Sequence, residues 1–349
     1  MKGNHPDRMV EKKRNSSIEL YRIIATFAVL IVHFNGWFVG GMPERFNFTN
    51  PTSFRIGQMI IEAATCICIN MFLIISGYFG ISLRLKSLLR ICCLLFFIYM
   101  PCYLVRAFLF KDIGFSIPHV IGRFFVISNA GYFIQCYLML MFLSPILNSF
   151  IEKNGKKILF WCLAFWVVEI WFGCIMNVEE LGFNHGYSVI HFVLMYMLAR
   201  CLFLFKEDLR NINVRFWIIG YLGCTLIICF MYLVGIQFCW DYSNPVVVVS
   251  SICSFMPFIY KYYENHYINW IAKSTLTVYV LQVTKPFYTY LIRIDNHILC
   301  ENSYSLYLIL SVIVISIFFI FGVLYGQLCD QISKPFINKV CIWLESRNK

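Results

Sequence analysis

The chain has 349 residues, of which 60% are hydrophobic, 18% aromatic and only 13% charged, and its mean hydropathy is +0.71. These proportions exclude an ordinary soluble domain and define a polytopic membrane protein. The net charge of +11 does not call for a nucleic acid, because basic loops against anionic lipid headgroups account for it.

Ten apolar runs, most of about 18 to 25 residues, are each long enough to cross a hydrocarbon core of roughly 30 Å as a helix. The expected fold is an all-α integral membrane protein, a bundle of about ten transmembrane helices. The first run, 18–39, lies in SSIELYRIIATFAVLIVHFNGWF (16–38) and carries Glu19, Arg22 and His33. An ionisable group near mid-membrane costs at least about 2.5 kcal/mol, so it faces protein or a water-filled cavity. Arg22 and His33 are eleven residues apart, which at about 100° per residue is three turns plus about 20°. They share one helix face, separated by about 16 Å. Glu19 lies one turn before Arg22 and can pair with it, in the simplest case as an interfacial ion pair.

The second run, 56–80, holds Glu62, Asn70, Ser76 and Gly77, and Arg84, Lys86 and Arg90 lead into the third, 87–110. Small residues such as Ser76 and Gly77 serve helix packing as readily as a site. The stretch 118–128, with Pro118, His119 and Arg123, is too short to span and reads as interfacial or re-entrant. Runs 131–150 and 157–176 bring Gln135 and Glu169, and run 187–205 begins with Tyr187 and Ser188 and contains His191. Runs 214–236, 244–260, 268–291 and 305–327 complete the set, with Gln282 in the ninth.

With the N-terminus inside, 21 of the 29 Lys and Arg fall on the inner face. The outer face has Arg45, Arg55, Lys111, Arg123, Lys285 and Arg293, while Arg22 and Arg106 lie within spans. The positive-inside rule then puts both termini in the cytoplasm. The expected organisation is a cytoplasmic segment 1–17, a transmembrane domain 18–327 and a cytoplasmic tail 328–349. The first 17 residues lack the apolar core of a cleaved signal peptide, so the first span is expected to direct insertion. The sixteen cysteines show no paired C-x-x-C motifs; they read as packing residues and no metal is expected. Neither a Gly-x-Ser-x-Gly elbow nor a His-Glu-x-x-His motif is present, which argues against a nucleophile triad and a zincin site.

The stretch RNSSIELYRIIATFAVLIVH (14–33) resembles the first helix of the membrane acyltransferase 3 family, in which a basic residue, ten residues and a histidine open the chain. Four further segments are similar to that family in its order, especially to members that O-acetylate bacterial surface polysaccharides. These are INMFLIISGYFG (69–80), GYFIQCYLMLMFLSPILN (131–148), NHGYSVIHFVLMYMLARCL (184–202) and STLTVYVLQ (274–282). Gln282 departs from the pattern by standing where many relatives carry histidine, and Tyr132-Phe133 replaces a tryptophan-containing pair.

The resemblance implies an O-acyltransferase in the bacterial inner membrane, moving an acetyl or other acyl group from cytoplasmic acyl-CoA to a hydroxyl of a cell-surface or lipid-linked glycan. Such a transfer needs a base for the hydroxyl proton, a holder for the anionic donor and dipoles for the tetrahedral oxyanion. His33, as general base or transient acyl carrier, is the expected catalytic residue with Arg22 and Glu19. Arg84, Lys86, Arg90, Ser76 and Gly77 are the expected donor-side residues, the basic ones for the phosphates of coenzyme A. Asn70, Gln135, Tyr187, Ser188 and Gln282 are the acceptor-side candidates. The rival expectation is a secondary transporter or glycan-lipid flippase whose buried Arg, Glu and His bind substrate or relay a proton.

Overall fold

A computed structural model describes residues 14–124, 131–176 and 178–347. The described residues form helices and turns with no strand. In chain order the α-helices are α1 (Ser16–Asn35), α2 (Ser53–Thr65), α3 (Cys68–Phe79), α4 (Leu85–Leu104), α5 (Ile117–Phe124), α6 (Tyr132–Asn154), α7 (Ile158–Glu169) and α8 (Val189–Leu204). They continue as α9 (Lys206–Arg210), α10 (Val214–Leu233), α11 (Pro245–Ile259), α12 (His266–Ala272), α13 (Thr275–Val283), α14 (Phe287–Glu301) and α15 (Tyr304–Arg347). Side chains of Asn15, Thr52, Ser188, Asn213, Asn244 and Asn265 each accept a backbone N–H at a helix start. These caps satisfy donors that apolar surroundings would leave bare.

Among the described residues seven segments are long and apolar enough to cross a membrane, and α8 is a shorter apolar helix. One of the seven, the 44-residue segment Tyr132–Ile175, would be about 66 Å long if straight, roughly twice a bilayer core. It turns at Gly155, whose φ of 52° and ψ of −135° end α6, and both α6 and α7 pack on α8. The expected runs 131–150 and 157–176 are therefore separate helices. The run 268–291, in contrast, is broken into α12, α13 and the start of α14. Thr284 is extended, with φ −100° and ψ 126°, ahead of Pro286, which has no N–H to continue a helix and whose ring would meet the carbonyl one turn back. The helical part of the stretch 118–128 is α5; residues 125–130 and 1–13 lie outside the described residues.

α1 packs against α2, α3, α11, α12, α13 and α15. Its start is stitched in place by polar contacts, since Ser17 Oγ donates to the Phe258 carbonyl at 2.8 Å and Ser16 Oγ to Asn269 Oδ1 at 2.8 Å. Two close helix approaches set the walls around it. Gly77 of α3 lies so near α8 that a Cβ there would stand 2.5 Å from Ala199 Cβ. On α15, a Cβ on Gly322 would stand 2.9 Å from Val278, and one on Gly326 2.5 Å from Thr277 Oγ1 of α13. Small residues one turn apart let two backbones approach without a hydrophobic driving force between them. The outer surface, by contrast, exposes Phe160, Phe216, Leu226 and Ile317, the apolar face that lipid covers.

Candidate active site

His33, in the last turn of α1, lines a cavity of about 820 Å³ together with Glu62, Tyr132, Tyr187, Tyr242 and Tyr279. Trp37 closes against its ring edge-on, with centroids 4.9 Å apart. The His33 Nδ1 is buried and has no hydrogen-bond partner, so Nε2 is the nitrogen that opens into the cavity. The Gln282 side chain of α13 stands against His33, is itself fully buried, and leaves both its Oε1 and Nε2 unpaired. Two buried polar groups that each lack a partner and lie side by side carry a desolvation cost that pairing would relieve.

Glu62 enters the same cavity from α2. Asn35 Nδ2 donates to Glu62 Oε2 at 2.8 Å and to the Gln58 carbonyl at 2.9 Å, and Gln58 Nε2 donates back to the Asn35 carbonyl at 2.6 Å. Arg55 Nη1 donates to Gln58 Oε1 at 2.6 Å. The carboxylate is thus fixed near Gly36, where a Cβ would stand 3.3 Å from Glu62 Oε2.

Arg22 lines a second, smaller cavity of about 190 Å³ with Phe72, Ser76, Phe133, Tyr137 and Tyr279. The shared face of Arg22 and His33 is therefore a face with two compartments. Tyr279 lines both, and its ring lies 5.0 Å from that of Phe133, so these two aromatics stand at the boundary. Glu19 sits between Arg14 and Arg22, 3.6 Å from each, and lines neither cavity.

The other candidates separate. Ser76 faces the Arg22 cavity, whereas the neighbouring Gly77 is spent on the approach to α8. Arg84 and Lys86 are exposed at the start of α4, and Arg90 pairs with Asp330 of α15 at 2.7 Å. Tyr187 lines the His33 cavity; Ser188 caps α8 by accepting the His191 N–H at 3.3 Å; Gln135 is exposed and lines neither cavity.

Asn70 belongs to a fully buried chain. Its Nδ2 donates to the Tyr242 carbonyl at 3.0 Å, which turns Oδ1 toward His191 Nε2 at 2.8 Å, and His191 Nδ1 lies 2.9 Å from Glu169 Oε1. Since Asn70 Oδ1 can only accept, His191 Nε2 carries a hydrogen, and one further proton is shared between Nδ1 and Glu169. The pair is net neutral and fixes the backbone that aims Tyr242 into the cavity. A second tie holds the segment around Tyr242, as His185 Nδ1 lies 2.7 Å from Asp241 Oδ2. Gly186, at φ 88°, presses so closely on Tyr242 and Ser243 that a Cβ would stand 2.8 Å from each.

The aromatic lining formed by Tyr132, Tyr242 and Tyr279, and the basic pair Arg106 and Lys285 at one end of the cavity, are not marked as a group by any spacing in the sequence. They come from four separate segments. Taken together, the helices long and apolar enough to cross a membrane and the cavities between them, lined by ionisable side chains, define a membrane protein with a candidate site inside its bundle. The family model for an acyltransferase domain matches residues 15–327, and the chain belongs to this acyltransferase family. No curated protein and no solved structure gives a significant match to it. The protein is a multi-pass membrane acyltransferase.

Proposed function

We propose that the protein is an acyl-CoA-dependent O-acyltransferase, in the first instance an O-acetyltransferase, that modifies a hydroxyl of a surface or lipid-linked glycan in the bacterial inner membrane. The observation that carries this reading is the sequence of compartments along α1, with Arg22 in one, His33 in the other, and Tyr279 lining both. The donor's phosphates stay at the end of the bundle where Arg84 and Lys86 are exposed, with both chain termini on that cytoplasmic side. Its narrow thiol-bearing arm passes Arg22 and Ser76 and moves Tyr279 aside. Glu19 acts by orienting Arg22 and does not touch the donor.

In the larger cavity His33 Nε2 takes the proton of the acceptor hydroxyl as its oxygen attacks the thioester carbonyl. The tetrahedral oxyanion collapses, the carbon–sulfur bond breaks, and the thiolate leaves with the proton that His33 returns. An ester and a free thiol result. For Nε2 to act as base, the ring hydrogen must sit on Nδ1; the unpaired Gln282 Oε1 beside the ring is the acceptor that a small side-chain rotation would bring to it. Tyrosine hydroxyls on the lining supply the dipoles for the oxyanion. A cavity of about 820 Å³ falls in the range that encloses a substrate-sized ligand, and it supports donor and acceptor meeting directly over an acyl relay.

The test is release of free thiol from acetyl-CoA by the purified full-length protein with a glycan acceptor. Thiol release that depends on acceptor supports the enzyme. Solute counterflow in proteoliposomes without donor turnover would overturn it in favour of transport.

A further inference from the structure

The His33 cavity has a basic mouth. Arg106 and Lys285 line both it and an adjoining cavity of about 250 Å³, whose wall also includes Asp112, Tyr290 and Arg293. Arg106 lies in an apolar segment, at the π-helical turn Val105–Phe110 that continues α4. Such turns re-aim side chains and recur at functional sites, and a guanidinium at that depth requires a purpose. Asp112 answers its charge, accepting from Nε at 2.9 Å and from Nη2 at 2.8 Å on one oxygen. Lys285 and Arg293, both exposed, form no ion pair among the described residues, and although Asp112 also feels the Lys285 charge, the three cations and one carboxylate on this wall leave a net charge of +2.

We propose that Arg106, Lys285 and Arg293 form a subsite for a phosphate group on the acceptor molecule, an inference that rests on the acyl-transfer reading. Two features select phosphate. A carboxylate would balance only one of the two free charges, whereas a phosphate ester or diphosphate matches both and takes the forked donors of arginine. The second feature is placement. Lys285 and Arg293 belong to the sparse basic residues of the face expected to lie outside, so general attraction to the cytoplasmic leaflet does not explain them. Phe110 and Tyr290 on the cavity wall are exposed, as are Phe108 and Leu109 just before Phe110 in the chain, which together make an apolar apron. An amphiphile fits this arrangement, its tail along the apron, its phosphate on the basic side chains, and its hydroxyl-bearing end toward His33.

The experiment uses the full-length protein in nanodiscs of zwitterionic lipid and reads thermal unfolding and ligand titrations with three probes: geranyl diphosphate, inorganic diphosphate and geraniol. Geranyl diphosphate is expected to stabilise the protein, and the double variant Lys285→Gln/Arg293→Gln to weaken its binding by at least about tenfold. Lys285→Arg/Arg293→Lys is expected to retain binding, which separates lost charge from damaged fold. Inorganic diphosphate binding as tightly as geranyl diphosphate would show a free-phosphate site and overturn the assignment to the acceptor; weaker binding supports a lipid-borne phosphate. No stabilisation by either phosphate probe, equal stabilisation by geraniol, or binding unchanged in the Gln variant overturns the proposal. Because binding is read without donor, its outcome is independent of whether thiol is released from acetyl-CoA.

Discussion

At the scale of single residues, the environment of His33 divides its two nitrogens, one sealed in protein and one open to the cavity. Replacing Gln282 with Leu removes the acceptor proposed to engage the sealed nitrogen during catalysis while keeping the volume. The expected result is a fall in kcat of about tenfold, the worth of one hydrogen bond, with little change in KM for the donor. A merely structural role would lower the yield of folded protein and leave kcat intact. The Glu169–His191–Asn70 chain makes a different prediction. Glu169→Ala leaves a buried imidazole with an unmet N–H and is expected to cost about 3 to 5 kcal/mol, read as a lower unfolding temperature. Glu169→Gln supplies the proton that the acid and imidazole now share, and is expected to be far milder.

At the scale of elements, α13 carries Tyr279 and Gln282 to the site, and it can do so only because α15 is bare at Gly322 and Gly326. Gly326→Val is expected to push α13 toward α1 and to abolish activity in membranes that still contain the protein. Gly223→Ala on α10, where a Cβ meets nothing within 4 Å, is the control and is expected to be neutral or slightly stabilising. The elements differ in how plainly the sequence announces them. Arg22 and His33 were legible because a helix repeats every 3.6 residues, so their interval alone puts them on one face. α1, α4 and α10 were legible because hydropathy over about 20 residues is a strong signal. The run 268–291 was not, since it breaks at Lys273–Ser274 and again at Thr284 and Pro286 within a stretch that remains apolar. Glu169 and His191 could be picked out as costly intramembrane residues, but their pairing with Asn70 joins three helices, and a pattern along one chain does not contain it. The placement of Gly77 against Ala199 follows the packing reading that the sequence allowed.

For the whole molecule, under the proposed acyl-CoA transfer the boundary at Tyr279, which lines both cavities along α1, is the point where donor entry would meet the chemistry. Tyr279→Phe keeps the ring against Phe133 and is expected to lower kcat through loss of the hydroxyl. Tyr279→Ala joins the compartments and is expected to raise the ratio of futile thioester hydrolysis to transfer, measured as thiol released per ester formed. Acyl transfer as proposed depends on His33. The most direct test compares O-acyl groups on surface glycan, by mass spectrometry, in cells making the parental protein or His33→Ala at equal membrane levels. The acyl mass increment is expected to disappear in the variant. Glycan acylated at the parental rate by His33→Ala would contradict that dependence on His33.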